Sequence, residues 1–149
     1  MEKTRKSSDI TDVNALGMYE FHVGEIEKGL IYPYPTLRLY GHRGYPDYFV
    51  HIRFRETVYI SCAPSFNNCF IWRVATKEEA EKVYVIAGED DKAEEYRAKV
   101  YCIEEDMSLY RTPLEREVRK FFIVAWGIEV TLEYDEVLED RVTNWGKPA

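Results

Sequence analysis

The sequence predicts a single α+β domain, a mainly antiparallel sheet with helices packed on one face. Three observations carry this expectation. Residues 48–76, YFVHIRFRETVYISCAPSFNNCFIWRVAT, form the longest β-type run in the chain, with Val, Ile, Phe, Tyr and Trp in near-strict alternation. Strand signals come first, then short mixed units, then a helix and a closing strand, an order that suits α+β architecture. A length of 149 residues, 46% hydrophobic and 32% charged, fits one soluble domain able to bury a core.

Taken in order, residues 1–16 read as a polar lead-in. Within it Ser8 or Asp9 caps a short helix through Leu16, and Gly17 ends it. Strands are expected over 18–23 and 36–40, with Pro33 and Pro35 breaking the run between them and a turn or loop over 41–46. In the second strand Leu37 and Leu39 alternate with Arg38 and Tyr40. In the long run, placing Val50, Ile52 and Phe54 on a core puts His51, Arg53 and Arg55 together on the opposite face. The run is either one bent strand or two pivoting at Arg55 and Glu56. Val58, Ile60 and Cys62 continue one face, with Tyr59 and Ser61 on the other. Asn67 and Asn68 mark a turn, after which Phe70, Trp72 and Val74 alternate with Ile71 and Arg73.

Thr76 and Glu79 form a capping-box pair that opens a charged segment, followed by apolar residues 83–87 and Gly88. Asp90 or Asp91 caps a second charged segment over 92–98. The runs Val83-Tyr84-Val85-Ile86 and Val100-Tyr101-Cys102-Ile103 echo one another, and periodicity leaves each open between helix and strand. Two copies are too few for a repeat array, which needs about three. The clearest helix signal covers 112–127. Thr112 is the N-cap, Pro113 takes the first helical position and Glu115 completes a capping box. Leu114, Val118, Phe121, Phe122 and Ala125 recur at helical spacing, and Gly127 is the stop. Ile128, Val130, Leu132 and Tyr134 then alternate with Glu129, Thr131 and Glu133, the pattern of a strand with one wet face. Residues 135–142 read as a short closing helix and 143–149 as a loose tail, which bounds the folded domain at 17–142.

A formal charge of −7 argues against a chain built wholly for nucleic acid. No apolar run approaches the ~20 residues of a bilayer span, and the opening MEKTRKSSDITD lacks the apolar core of a signal peptide. A cytoplasmic location without a membrane partner is the expectation. Cys62, Cys69 and Cys102 are odd in number and lack C-x-x-C spacing, as in a reducing compartment. The chain has no glutamine and four asparagines against 19 glutamates and 11 arginines, a balance found in heat-adapted proteins. It points to a thermophilic archaeon or its virus. In such a source a Cys62–Cys69 hairpin disulfide is the alternative to two buried thiols.

The candidate binding residues are Arg38, Tyr40, His51, Arg53, Arg55, Tyr59 and Arg73. Residues 30–76 hold five arginines, no lysine and only Asp47 and Glu56 as acids, and 11 of the chain's 22 aromatic residues. Guanidinium forks beside aromatic planes suit phosphates, stacked bases and protein hot spots. Residues 77–109 carry 11 acids against 5 bases. They either pair with this basic face inside the fold or offer a second, acidic surface. His22, His42, His51 and the three cysteines are of ligand type, but none sits at zinc-finger spacing, so no metal is expected. There is no phosphate-binding glycine loop, no G-x-S-x-G and no HExxH.

Phe21-His22, Gly29-Leu30, Val58-Tyr59-Ile60-Ser61 and Glu129 on a late strand together resemble the His–Tyr–Glu order of the ADP-ribosyltransferases. The resemblance implies an NAD framed by His22 and Tyr59, with Glu129 orienting its ribose. The sequence departs from that pattern where Val23-Gly24 follows His22, and in the short interval between His22 and Gly29. The first functional reading is a non-enzymatic protein-binding module without a cofactor, an inhibitor or accessory factor whose partner is another protein or a second copy. A small NAD-using transferase and a binder of single-stranded nucleic acid are the alternatives.

Overall fold

A computed structural model of the chain describes residues 3–16, 21–27, 35–44, 47–61, 65–66, 70–93, 96–105 and 119–146. In chain order these form β1 (Lys3–Ser7), a 3-10 helix (Ile10–Leu16), β2 (Phe21–Glu27), β3 (Thr36–Gly44), β4 (Asp47–Ser61) and β5 (Ser65–Phe66). They are followed by β6 (Phe70–Val74), α1 (Lys77–Ala87), β7 (Lys99–Glu105), β8 (Lys120–Tyr134), a 3-10 turn (Glu136–Leu138) and α2 (Glu139–Val142). Every strand pairing is antiparallel, in the order β5-β2-β3-β4-β8-β7-β6 with β1 also on β8, so the fold is α+β and built mainly from one sheet. No helix among the described residues is long and apolar enough to cross a membrane.

Strand β8 is the axis of the sheet. Along one edge it pairs with β4 from Tyr48↔Tyr134 to Ser61↔Phe122. Its other edge is divided between β7, which meets Lys120 to Ala125, and β1, which meets Val130 to Tyr134. This corrects the helix expected over 112–127. Residues 120–127 are strand, and 106–118, including Thr112, Pro113, Leu114, Glu115 and Val118, lie outside the described residues. Phe121, Phe122, Ile123 and Val124 are aromatic or β-branched and favour a pleated surface. Here Phe122, Ile123 and Val124 are paired with a strand on either side, and Phe121 pairs with Ile103 of β7.

Strand β4 is one continuous strand of 15 residues with a bulge, which decides between the two readings of that run. The register slips between Thr57 and Tyr59, and Glu56 takes a left-handed φ of 51°. Thr57 closes the irregularity, its N–H donating to Pro35 O at 2.7 Å and its hydroxyl to Phe54 O at 2.7 Å. A Cβ in the left-handed region costs about 1–2 kcal/mol, part of which returns as extra unfolded-state freedom in glycine. Glu56→Gly is therefore expected to stabilise the protein by about 0.5–1 kcal/mol, seen as a higher urea midpoint. A lower midpoint would show that the Glu56 side chain holds the bulge.

The helices do not share one face. The inner face packs Leu37, Leu39, Val50, Ile52, Phe54, Ile103, Val130 and Leu132 into one large core. That core is closed by Ile10, Val13 and Leu16 from the first 3-10 helix and by Leu138, Val142 and Trp145 from the C-terminal end. On the other face α1 lays Val83 against Val100 and Val124, with Ala80, Tyr84, Val58, Tyr59 and Phe122 around them. Val58 thus sits with Tyr59, while Ile60 packs on the inner core, because the bulge breaks the alternation between them.

Both termini contribute more than their polarity suggests. The lead-in supplies β1 and three buried apolar side chains, and Asp9 opens the 3-10 helix by accepting from Thr11 N–H at 2.9 Å. Asn14 pairs with the backbone of edge strand β6, accepting from Trp72 N–H and donating to Trp72 O, each at 2.8 Å. The expected Thr76–Glu79 capping box is present, and Gly88 ends α1 at φ 74°. Residues 83–87 are therefore helical and 99–105 are strand. No α-helix forms among the described residues of 92–98. There Arg97 instead donates to Lys92 O and Asp90 O at 2.7 Å each. Cys62, Cys69 and Gly17 lie outside the described residues, and Cys102 is a buried free thiol whose pKa burial pushes up to about 11.

Candidate functional site

Strand β4, at about 3.3 Å per residue, runs about 50 Å, whereas the 11-residue α1 covers about 16 Å. The helix sits over the end of the outer face where β4 finishes and β8 begins. The opposite end of that face, carried by β2, β3, β4, β8 and β1, has no α-helix packed on it among the described residues.

Register fixes what this end presents. Directly paired residues share a face, so Arg38, Arg53 and Glu129 form one row, and Tyr40, His51, Thr131 and Lys6 form the next. His42, Phe49, Glu133 and Thr4 make a third, and His22 extends the second row onto β2. The rings form a connected shelf. Phe49 lies 4.5 Å from His51, 5.9 Å from His42 and 6.2 Å from Tyr40, with the Phe49 and Tyr40 planes only 9° apart. His22 adds a contact to Tyr40 at 5.4 Å between ring centroids.

Arg38 Nη2 donates to His51 Nδ1 at 3.0 Å. Burial, followed by the positive charges of Arg38 and Arg53, holds the His51 pKa below its usual range, with Glu133 acting in the opposite sense. The Arg55 guanidinium stands 3.6 Å from Glu129, and Arg53 is exposed. The result is a half-buried aromatic and imidazole shelf edged by guanidinium groups.

Of the binding residues expected from sequence, Arg38, Tyr40, His51, Arg53 and Arg55 come together here. Tyr59 and Arg73 do not. Tyr59 lies beyond the bulge, opposite Val124 and against the residues that pack under α1. Arg73, on β6, is consumed within the fold. It bonds bidentately to Glu79 of α1 at 2.7 and 2.9 Å and to Glu104 of β7 at 2.8 Å, while Lys120 reaches Glu79 at 2.9 Å. The acidic segment therefore pairs with Arg73.

His22, Tyr59 and Glu129 are not brought together either. Two strands separate His22 from Glu129, about 14 Å across the sheet. Tyr59 lies six residues further along β4 than Arg53, the partner of Glu129, about 20 Å away. Among the described residues no group of three or more His, Cys, Asp or Glu side chains lies close enough to hold a metal ion. Sequence reasoning missed Phe49, His42, Lys6 and Glu133 as members of the face. Phe49 shares the parity of His51, and His42 that of Tyr40, so alternation alone could have found both. Lys6 and Glu133 needed the β1–β8 and β4–β8 registers. Comparison with protein-family models, curated proteins and solved structures finds no match to the chain.

Proposed function

We propose that this chain is a non-enzymatic binding module, an inhibitor or accessory factor, that recognises another protein through the end of its outer sheet face on which α1 does not pack. The observation that carries this reading is the ring shelf of Tyr40, Phe49 and His51 edged by Arg53 and Arg55, on a sheet whose other end is covered by α1. Tyr and Arg are enriched among the few side chains that dominate binding energy, because they combine large apolar area with a polar or charged tip. The acidic segment is a weaker surface, since Glu79, Glu89 and Glu104 are already engaged by Arg73, Lys92 and Lys120.

Native mass spectrometry of the protein purified from its host, repeated with the double variant Arg53→Ala/Arg55→Ala, tests this reading. The expected result is a stoichiometric protein partner, or a second copy, lost on substitution with affinity down at least about tenfold and the melting midpoint unchanged. Retention of the partner by the double variant would remove this face as the binding surface.

A second reading, single-stranded nucleic acid on the same shelf, is favoured by the nearly parallel Tyr40 and Phe49 rings, since bases stack on such planes. It ranks lower because Glu129 and Glu133 line the β8 side of the shelf and the chain carries −7 overall. A steep loss of affinity with rising salt is its signature.

A further inference from the structure

We infer that the partner presents a carboxylate beside an aromatic side chain, the carboxylate held by Arg53 and His51 Nε2–H and the ring laid on the Tyr40–Phe49 shelf. This inference rests on the protein-binding reading above and names the chemistry that the face selects.

Arg38 sets the tautomer of His51. A guanidinium can only donate, so His51 Nδ1, 3.0 Å from Arg38 Nη2, is the acceptor of that bond. The imidazole is then neutral, and its proton sits on Nε2. Among the described residues Nε2 has no hydrogen-bond partner, and Arg53 makes no hydrogen bond or ion pair. Both residues project from β4 on one face, two positions apart and so about 7 Å along the strand. Two donors at these groups select an accepting ligand, and the permanent charge of the Arg53 guanidinium favours an anionic acceptor over a neutral carbonyl.

The acids of β8 separate a carboxylate from a phosphate chain. On the β8 side the same two rows continue into Glu129 and Thr131, and Glu133 follows in the third. A single carboxylate bound by Arg53 and His51 need not extend across those acids. A phosphodiester backbone, with a charge at every nucleotide, would have to pass over them. Spacing along the strand adds the aromatic anchor. Tyr40 stands directly opposite His51, and Phe49 lies on the other side of His51 from Arg53. An extended segment carries residues i and i+2 on one face about 7 Å apart. An acidic residue two positions from an aromatic one therefore reaches both anchors at once.

The test is an NMR titration of the full chain with a Gly/Ser peptide carrying Glu-Ser-Tyr. Controls carry Gln-Ser-Tyr and Glu-Ser-Ala, and an oligothymidylate is titrated alongside. Saturable shifts centred on Tyr40, His51 and Arg53 are expected with the first peptide. Each control should bind at least about tenfold more weakly. Arg53→Ala and His51→Ala should each lose the shifts while keeping a dispersed spectrum. Equal binding of the Gln-Ser-Tyr peptide would overturn the carboxylate assignment and leave the protein-binding reading standing. Tighter binding of the oligothymidylate would overturn both, and the absence of shifts with the Glu-Ser-Tyr peptide would overturn the inference.

Discussion

Phe54→Ala is expected to lower the stability of the protein by about 3–5 kcal/mol, the range for truncating a buried aromatic ring. Phe54 is fully buried on the inner face of β4, opposite Ile128 of β8 and Leu37 of β3. Its ring meets Tyr101 of β7 edge-on at 5.4 Å. It therefore links four strands of the sheet through one side chain. Its neighbours belong to paired strands that cannot collapse into the space without breaking register, so the cavity term should be near the top of its range. The residue also stands at the entrance to the bulge, and its carbonyl accepts the Thr57 hydroxyl. Urea unfolding of the variant at neutral pH measures the loss. A cost below about 1 kcal/mol, less than an ordinary core Ile→Val change can carry, would mean that the sheet does not close around Phe54 as described.

The same strand shows why part of this fold was legible in the sequence. Val50, Ile52 and Phe54 are buried and His51, Arg53 and Arg55 point away, because β4 has a dry face and a wetter one over that stretch. Its polarity therefore alternates with the pleat. The first half of β8 has lost that signal. Ile123 belongs to the inner core and Val124 to the layer under α1, so consecutive residues are both apolar. In such a run helical spacing can be traced through almost any subset, and Phe121, Phe122 and Ala125 satisfied it by density rather than by period.

The paired runs Val83-Tyr84-Val85-Ile86 and Val100-Tyr101-Cys102-Ile103 sharpen the point. Nearly the same residues form helix in one place and strand in the other. The first follows the Thr76–Glu79 capping box and ends at Gly88, while the second lies between β6 and β8. Flanking signals and tertiary pairing decided between them, and only the flanking signals were visible beforehand. The candidate site divides in the same way. Which residues share a strand face followed from parity. That His51 accepts from Arg38 depended on the β3–β4 register, and the fate of Arg73 depended on where α1 docks.

Arg73→Ala is expected to cost about 2–4 kcal/mol at pH 7, between the loss of charged hydrogen bonds and the rupture of a fully buried ion pair. The side chains of Arg73, Glu79 and Glu104 are 24%, 14% and 27% exposed, so the cluster is largely but not wholly withdrawn from water. Removing the guanidinium leaves two carboxylates near each other with Lys120 as their remaining counter-charge, and it unfastens α1 from β6 and β7. The cost should depend on pH with a definite sign. The bond from Arg73, helped by the Thr76 backbone and Lys120 and opposed by burial, holds the Glu79 carboxyl far below the usual carboxylate range. A depressed folded-state pKa gives stability that is complete above the unfolded value, about 4.3 for Glu, and is lost as the pH falls towards the folded one. The gap between wild type and Arg73→Ala should therefore hold from pH 7 to about pH 5 and narrow below about pH 4. Urea unfolding at pH 7, 5 and 3 tests this, and a gap of the same size at all three would rule out Glu79 as the linked group. Affinity for the proposed partner gives the complementary readout. Arg73→Ala, assayed while still folded, should bind normally, whereas Arg53→Ala/Arg55→Ala should melt normally and fail to bind. These two variants would then separate the contact that fastens the helix from the contacts proposed for a partner.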